Sequence, residues 1–334
     1  MAPVSAAVPL LGRTAGWLRA AADRVTGARL SILIYHRVLA APDVLFPDVV
    51  SGPQFEAQMR LVGAAFKVLP LGEAAARLAS GTLPQGALSI TFDDGYADNA
   101  EVALPILQRL GMKATFFVAT GFLDGGRMFN DSVIECVRAA RGDSADLGAF
   151  GLGTRRLVTP LERRNVIDDL LPKIKYLGLA EREEFIARLA RTLNSARLPD
   201  DLMMRKSQVQ ELHRAGMEIG GHTERHPILR VLPDAEAEAE IARGRAELQQ
   251  MIQAPVQVFA YPNGRPMQDY DQRHVAMVRR MGFRAAVSTA VGTASAASDP
   301  HQLPRFSPWQ PGGWRWLARL LHVRTLGAHG VGQA

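Results

Sequence analysis

Cysteine is almost absent from this chain, since Cys136 is the single one among 334 residues. One cysteine rules out an intrachain disulfide and a cysteine-based zinc site, so any metal would have to be held by Asp and His side chains. Long apolar runs are missing as well, because no stretch approaches the roughly 20 uninterrupted apolar residues of a membrane-spanning helix. The sequence therefore predicts no transmembrane segment.

The chain also lacks a block of charge of one sign. Its net charge is +6, but the basic residues are scattered, and the densest group, at 155–164, is interrupted by apolar and acidic residues. This distribution is typical of a solvated surface, so we expect no nucleic-acid partner. With 47% hydrophobic and 22% charged residues, the chain can bury a large core.

An early positive charge is missing from the amino terminus, where the first basic residue is Arg13. A secretory signal needs a basic start followed by a longer apolar run, so we expect a cytoplasmic protein. Residues 1–28 instead carry a helical apolar stripe, which is formed by Leu10, Leu11, Trp17, Leu18 and Val25. This pattern predicts an amphipathic helix that docks on the rest of the protein or contacts a membrane surface through residues 10–25.

Two adjacent carboxylates follow an apolar strand in the segment LSITFDDGY, residues 88–96. Side chains alternate along a strand, so Asp93 and Asp94 can perform different tasks only if the chain turns there, as Gly95 permits. A structural turn, in which an aspartate accepts backbone hydrogen bonds, is the commoner use of Asp-Asp-Gly taken alone. The interpretation depends on a second motif.

That second motif is HTERHP, at 222–227, after another short apolar stretch. His222 and His226 have a spacing at which two imidazoles can converge on one divalent ion. Pro227 favours a loop there, and surface histidines are the commoner source of such a pair. Together with the aspartates, however, the pair indicates metal-assisted hydrolysis by one carboxylate and two imidazoles.

The two motifs together resemble those of the polysaccharide deacetylases, the NodB-homology group of carbohydrate esterases (family 4). In that family, TFDDG supplies a general base and then a metal ligand, and HTxxHP supplies two further ligands. The resemblance implies that Asp93 is the base and that Asp94, His222 and His226 hold a divalent metal ion. These ligand types favour zinc over magnesium or calcium.

A third segment, VFAYPNG at 258–264, resembles the strand and turn that form one wall of the family's groove. It departs from the commonest version, because Ala260 stands where many members have an arginine and Asn263 where they have a tyrosine. The family uses the backbone amide of the latter residue to polarise the substrate carbonyl, so Asn263 can still supply that amide. Tyr261 and Pro262 are expected to contact the substrate.

Near the carboxyl terminus, LPRFSP at 303–308 resembles the closing strand of the family's exopolysaccharide branch. Arg305 is a candidate substrate-binding residue. It either pairs with Asp93, replacing the arginine missing at Ala260, or is a solvated surface arginine.

The family's fourth motif and its late histidine, the usual general acid, are absent after residue 264. Instead, SILIYHRV at 31–38 places His36 at the end of an apolar strand, as in the exopolysaccharide branch, whose motifs are permuted. The resemblance implies that His36 protonates the departing amine. Without it, a strand-end histidine that hydrogen-bonds a loop is the simpler interpretation.

The function implied by this resemblance is the metal-dependent removal of N-acetyl groups from a polysaccharide or lipid-linked glycan, in exopolysaccharide biosynthesis. De-O-acetylation at the same centre is one alternative. A deacetylase-like protein that binds a glycan or a protein partner without turnover is another, suggested by Ala260 and the missing fourth motif.

Short apolar strands alternate with amphipathic helical stretches, which predicts an α/β domain with a parallel sheet. Strands are predicted at 30–35, 66–69, 88–92, 114–118, 217–220, 256–260 and 284–288, with helices at 53–65, 99–110, 206–215, 235–252 and 268–281. The resemblance sharpens this to a distorted (β/α)7 barrel of the NodB type at 29–310, followed by a carboxyl-terminal helix and tail at 311–334.

Residues 127–204 interrupt this alternation, and no strand is expected between Val118 and Met217. Helical patterns at 131–141, 161–176 and 181–193 predict a helical insertion packed over or beside the groove. At its start, Asn130 and Asp131 either line the substrate channel or, as we prefer, cap a helix.

Overall fold

A computed structural model of the chain describes Ala20 and residues 28–195, 197–307 and 314–326. The amphipathic helix predicted within residues 1–28, with its membrane-contacting stretch at 10–25, lies outside the described residues except for Ala20 and Ala28. The tail at 327–334 lies outside them as well.

Ten strands are described in this part of the chain. In chain order they are β1 (Ser31–Tyr35), β2 (Lys67–Val68), β3 (Ala87–Phe92), β4 (Thr115–Val118), β5 (Ser144–Asp146), β6 (Thr154–Arg156), β7 (Glu218–Gly221), β8 (Val258–Ala260), β9 (Ala285–Val291) and β10 (Leu303–Arg305). All except β5 and β6 belong to one parallel sheet, whose spatial order is β1-β3-β4-β7-β8-β9-β10, with β2 paired to β3. Strands buried on both faces need continuous apolar runs, and all six residues of β3 are buried.

The sheet closes on itself next to β1. Phe306, directly after β10, accepts a hydrogen bond from the Ile34 N–H at 3.0 Å and donates its own N–H to the Ile32 carbonyl at 2.7 Å. This pairing completes a nearly closed barrel. The predicted distorted (β/α)7 fold is confirmed, and the carboxyl ends of its parallel strands meet at one rim.

Helices surround the barrel and fill the insertion. They are α1 (Gly52–Ala65), α2 (Leu71–Ala79), α3 (Leu104–Arg109), α4 (Phe129–Arg138), α5 (Pro160–Lys175), α6 (Leu179–Thr192), α7 (Lys206–Arg214), α8 (Asp234–Ile252), α9 (Gln272–Arg280) and α10 (Trp314–Leu326). Helix α2 was not predicted from the sequence. None of the described helices is long and apolar enough to span a bilayer.

One predicted helix differs from the structure in the type of its first turn and another in its first residue. The helix expected at 99–110 begins as a π-helical turn, Asn99–Ala103, and becomes α3 only afterwards. Pro105 has no N–H to donate to the preceding turn, so the regular hydrogen-bond pattern cannot run through it. The helix expected from residue 268 starts at Gln272, because the Asp271 side chain caps it by accepting the Arg273 N–H at 3.1 Å.

The insertion differs from its predicted all-helical form. Strands β5 and β6 form an antiparallel hairpin between α4 and α5, which corrects the expectation of no strand there. The insertion has its own core, which contains Val133, Val137, Ile167, Leu170, Phe185 and Leu189. Helix α4 begins at Phe129 with Met128 at its N-cap, so the predicted cap at Asn130 or Asp131 was also wrong.

Candidate active site

The turn after β3 separates the two neighbouring carboxylates. Asp94 has a left-handed backbone, with φ 77°, and Gly95 follows at φ 94°. The Asp93 N–H still donates to the Tyr35 carbonyl of β1, at 2.9 Å. Because the chain leaves the strand between the two residues, Asp93 faces Arg305 while Asp94 faces the histidines. The segment is a turn, but both carboxylates have partners elsewhere in the barrel.

The loop at 222–227, called the histidine loop below, follows β7. The side chain of its own Thr223 holds it in place. The Thr223 hydroxyl donates to the His222 carbonyl at 2.5 Å and accepts the His226 N–H at 3.0 Å. Thr223 and His226 have positive φ, as do Asp94 and Asn263, so four of the eight such non-glycine residues in the described chain belong to this site. Left-handed backbone at residues other than glycine is uncommon and is concentrated at functional sites.

Helix α8 supports the same loop from behind. The buried Glu240 carboxylate accepts the N–H groups of Glu224 and Arg225, at 3.2 and 2.8 Å. One turn further along, a Cβ added to Gly244 would lie 2.5 Å from the Thr223 carbonyl oxygen. Helix and loop are therefore in backbone contact, which only glycine permits. Sequence reasoning missed both residues.

Asp94, His222 and His226 form the one cluster of three potential metal ligands found among the described residues. Asp94 Oδ1 lies 3.3 Å from His222 Nε2 and 3.4 Å from His226 Nε2. Tetrahedral zinc with bonds of about 2.0–2.1 Å requires neighbouring ligand atoms roughly 3.3–3.4 Å apart. The donor set and its spacing therefore fit a divalent ion such as zinc.

Burial and hydrogen bonding set the protonation of these ligands. His222 Nδ1 donates to the Ala260 carbonyl at 2.7 Å, so Nε2 is the ring nitrogen that faces Asp94. Burial lowers the pKa of His226 to about 3, so this ring is neutral at physiological pH. Burial opposes ionisation of Asp94, but the interaction with His222 holds the pKa of Asp94 well below its usual range.

Arg305 pairs with Asp93 through two parallel hydrogen bonds. Its Nη1 and Nη2 each lie 2.7 Å from an oxygen of the carboxylate, and its Nε donates to the Ser288 carbonyl at 2.8 Å. Burial would raise the pKa of Asp93, yet the Arg305 guanidinium outweighs burial and lowers it. Of the two alternatives for Arg305, the structure shows the pair and not a solvated side chain.

The turn after β8 is fixed by β9. Thr289 donates its N–H to the Gly264 carbonyl at 2.8 Å and its hydroxyl to the Asn263 carbonyl at 2.9 Å. Asn263 has φ 57°, and its buried side-chain nitrogen has no hydrogen-bond partner among the described residues. The turn therefore presents Asn263 to the cavity that contains the metal-ligand cluster.

Three predicted substrate contacts lie behind the cavity wall. The Tyr261 ring stacks on Tyr270 at 3.8 Å between centroids, and its hydroxyl donates to the His301 carbonyl at 3.0 Å. Pro262 is buried beside it, and Arg305 is 1% exposed. None of Tyr261, Pro262 and Arg305 is among the residues that line the cavity. Their side chains pack behind the residues that line the cavity, and their contact with the substrate stays a prediction.

The main cavity, as we call it below, has a volume of about 510 Å³. From the barrel it is lined by His36, Asp93, Asp94, His222, His226 and Asn263, and from the insertion by Met128, Phe129, Asp168, Leu171, Lys175 and Tyr176, among others. His36 follows β1 and lies level with Asp93, because Tyr35 pairs with Phe92. The barrel rim and the insertion therefore enclose a site for a sizeable ligand.

Sequence reasoning also missed a buried pair beside Asp94. The Tyr96 hydroxyl donates to the Asp131 carboxylate, with both oxygens at 3.1 Å. Burial raises the pKa of Asp131 to about 7, against the opposing charge of Arg37. Asp131 lines a cavity that also includes Asp94, and the predicted substrate channel at Asn130 and Asp131 stays a prediction.

The fold and the site together define a barrel hydrolase with its reactive groups at the carboxyl ends of parallel strands. The sequence profile of the family described as polysaccharide deacetylase matches residues 80–286, more than half of the chain. The chain belongs to the polysaccharide deacetylase family. His36 and Arg305 lie outside the matched segment.

Known proteins similar to this chain agree with that assignment. YxkH of Bacillus subtilis (strain 168) is named a polysaccharide deacetylase by inference. It is 23% identical to this chain over 280 residues, which cover 83% of this chain and 71% of YxkH. Deacetylase PplD of Streptococcus pyogenes, solved with acetate, has 20% identity and a TM-score of 0.58 over 88% of this chain and 98% of PplD.

Two further solved structures are similar over the same 88% of this chain. IcaB from Ammonifex degensii has 21% identity and a TM-score of 0.55, with 97% of its own chain covered. A de-N-acetylase from Aggregatibacter actinomycetemcomitans has 15% identity and a TM-score of 0.55, with 100% of its chain covered. These similarities show that the fold is shared.

Proposed function

We propose that this protein is a metal-dependent hydrolase that removes N-acetyl groups from a polysaccharide or a lipid-linked glycan precursor. The observation that carries this proposal is the cluster of Asp94, His222 and His226 with Asp93 held beside it by Arg305. Membership of the polysaccharide deacetylase family supports the activity. Similarity to a protein described as a de-N-acetylase supports the N-acetyl group as the target.

Asp94, His222 and His226 would hold the ion. Zinc fits this donor set, and when bound it would polarise a carbonyl and acidify a water molecule. Metal dependence is therefore part of the proposal and is testable apart from activity.

The other groups have separate tasks in the hydrolysis. Asp93 accepts a proton from the attacking water, since the Arg305 guanidinium keeps it ionised. The Asn263 backbone N–H, with the unpartnered side-chain nitrogen nearby, donates to the carbonyl oxygen as negative charge develops there. His36 returns a proton to the departing amine. Water adds across the C–N bond, and the products are acetate and a free amino sugar.

Exopolysaccharide biosynthesis is the setting that we propose for this reaction. The strand that carries His36 is the first strand of the barrel, beside β3, as in the permuted exopolysaccharide branch that the sequence resembles. In this position His36 lines the main cavity. It would take the role of the general-acid histidine that the family usually has late in the sequence.

A binding protein without turnover is less well supported. That alternative depended on Ala260, where many relatives have an arginine. Arg305 supplies a guanidinium to Asp93 from β10 instead, at 2.7 Å through both nitrogens. This pairing weakens one of the two grounds for an impaired site, and the other ground is the missing fourth motif.

Acetate release from N-acetylglucosamine oligosaccharides tests the proposal. Asp93→Asn should lower kcat by about 10²–10⁴-fold, the usual contribution of a general base, while it leaves the three metal ligands in place. Asp168→Asn is the matched control, because Asp168 lines the insertion side of the same cavity. Wild-type acetate release by Asp93→Asn would contradict the assignment. A parallel O-acetylated substrate distinguishes N- from O-deacetylation.

A further inference from the structure

A second cavity of about 300 Å³ adjoins the main cavity. The two cavities share the lining residues His36, Asp94 and Asn130. Asp94 is a candidate metal ligand, so the second cavity, called the side cavity below, begins at the reaction centre and leads away from it.

Two walls of the side cavity come from different parts of the chain. One wall is the loop at 36–50, and the other is helix α4 of the insertion. Arg138 of α4 holds the Asp43 carboxylate of the loop through two hydrogen bonds, at 3.0 and 2.6 Å. Leu45 of the loop is buried in the core of the insertion. These contacts join the walls and fix the width between them.

Apolar side chains supply much of the lining. Five of them are half-buried and face the space: Leu39, Phe46, Val49, Val50 and Ile134. Apolar surface in contact with water is unfavourable, and an apolar ligand that covers it gains free energy in proportion to the area covered. The lining is therefore suited to a hydrocarbon chain.

The charged groups of the lining do not favour an anionic ligand. Both of its arginines already have carboxylate partners, Arg37 with Asp98 at 2.8 Å and Arg138 with Asp43. The lining also carries five carboxyl groups against these two arginines, so it disfavours a phosphate or a uronate. The ligand that fits is uncharged.

We propose that the side cavity binds the alkyl chain of an N-acyl group longer than acetyl. This inference rests on the proposed function, because hydrolysis requires the amide carbonyl to lie at the Asp94 cluster. The alkyl chain is bonded to that carbonyl carbon and therefore starts where the side cavity starts. Hydrolysis adds hydroxyl to the acyl carbon and a proton to the amine, which releases a fatty acid and an amino sugar.

The size of the side cavity sets the chain length. A closed cavity of about 150 Å³ accommodates the six carbons of a benzene ring. The side cavity has about 300 Å³, but part of this volume lies at the open junction with the main cavity, so we expect room for roughly six to eight carbons of a flexible chain. A sugar ring, with hydroxyl groups on every side, is better suited to the larger main cavity.

A series of glucosamine oligosaccharides N-acylated with acetyl, butanoyl, hexanoyl or octanoyl groups tests the inference. The kcat/KM for amine release should rise from acetyl to hexanoyl, by up to about fourfold per methylene, and then level off. Hydrolysis of the acetyl substrate with a steady fall for longer chains would overturn the inference and leave the proposed function standing. No hydrolysis of any member would overturn both.

Variants that fill the side cavity show whether the preference for longer acyl chains depends on that cavity. Ile134→Trp and Val49→Trp narrow it from opposite walls, and each should lower the hexanoyl-to-acetyl ratio of kcat/KM at least tenfold. Val44→Trp is the matched control, because Val44 lies on the same loop with 74% of its surface exposed, and it should keep the ratio. An unchanged ratio in both filling variants would overturn the inference.

An octyl glycoside of N-acetylglucosamine shows whether the side cavity binds an acyl chain or an alkyl aglycone. The inference predicts no gain in kcat/KM from the octyl group over a methyl glycoside. A gain that Ile134→Trp removes would show that the side cavity binds the aglycone, which would overturn the assignment to the acyl chain.

Discussion

Arg305 is the residue on which the geometry of the carboxylate pair depends. Both Arg305 and Asp93 are almost completely buried, at 1% and 3% exposure. A buried carboxylate without a partner is strongly unfavourable, whereas a two-point pair with arginine satisfies both of its oxygens. The position of Asp93 therefore depends on a residue more than 200 positions away in the sequence.

Arg305→Gln should lower the free energy of unfolding by about 3–5 kcal/mol, because it leaves the Asp93 charge buried and unpaired. Denaturant unfolding at neutral pH measures the loss. Arg305→Lys is the matched comparison, since lysine keeps the charge but cannot form the two-point pair, and its loss should be smaller. A stability for Arg305→Gln within about 0.5 kcal/mol of wild type would contradict this view, because that is the range of ordinary surface substitutions.

For single residues, the sequence predicts which side chains can bind a metal better than it predicts which side chains contact the substrate. The residue types of Asp94, His222 and His226 indicated a metal, and the structure brings these three together. Tyr261 was expected at the substrate, but its ring lies in the core. Position in a motif does not reveal which face of the turn a side chain occupies.

Helix α8 is the element that determines where the histidine loop lies. Its Glu240 accepts two N–H groups of the loop, and its Gly244 allows backbone contact with Thr223. These contacts join segments that are separated in the sequence and have no local pattern, so they could not be predicted. The strands and helices themselves follow local periodicity and were mostly predicted.

Gly244→Ala should weaken zinc binding, although alanine is favoured over glycine within a helix by about 1 kcal/mol. The added Cβ would lie 2.5 Å from the Thr223 carbonyl oxygen, so the histidine loop must move. Competition with a zinc chelator measures the affinity, and we expect at least a tenfold loss.

Gly63→Ala in α1 is the matched control for that change. The Cβ added at Gly63 meets only the terminal methyl carbon of Met112, which can rotate away. This variant should keep wild-type zinc affinity. Equal affinities for Gly244→Ala and wild type would show that α8 does not position the loop.

At the scale of the whole molecule, closure of the barrel brings the two ends of the described chain together. Phe306 pairs with β1, and Arg324 of α10 donates to the Ser31 hydroxyl at 2.9 Å and to the Arg29 carbonyl at 2.8 Å. The alternation of strands and helices predicted the barrel. The β5–β6 hairpin was missed because three-residue strands carry too short a pattern to recognise.

Substitution of Trp316 measures how much α10 contributes to the stability of the barrel. Its side chain is 1% exposed and belongs to the same core cluster as β3 and β4 residues. Trp316→Ala should lower the free energy of unfolding by about 3–5 kcal/mol, as measured by denaturant unfolding. Ala318→Gln on the exposed side of α10 should have little effect. A loss below about 1 kcal/mol for Trp316→Ala would mean that α10 packs only loosely, since buried large-to-small changes cost more than that.

The number of zinc ions bound per chain shows whether Asp94, His222 and His226 form a metal site. Titration of zinc into chelator-treated protein, followed by calorimetry, should show one tight site in the wild type. His222→Ala should abolish that site, because it removes one of the three ligands. His213→Ala, a change to a histidine of α7 outside the cluster, should preserve it. Absence of zinc binding by the wild type, or an unchanged site in His222→Ala, would show that these residues do not hold a metal ion.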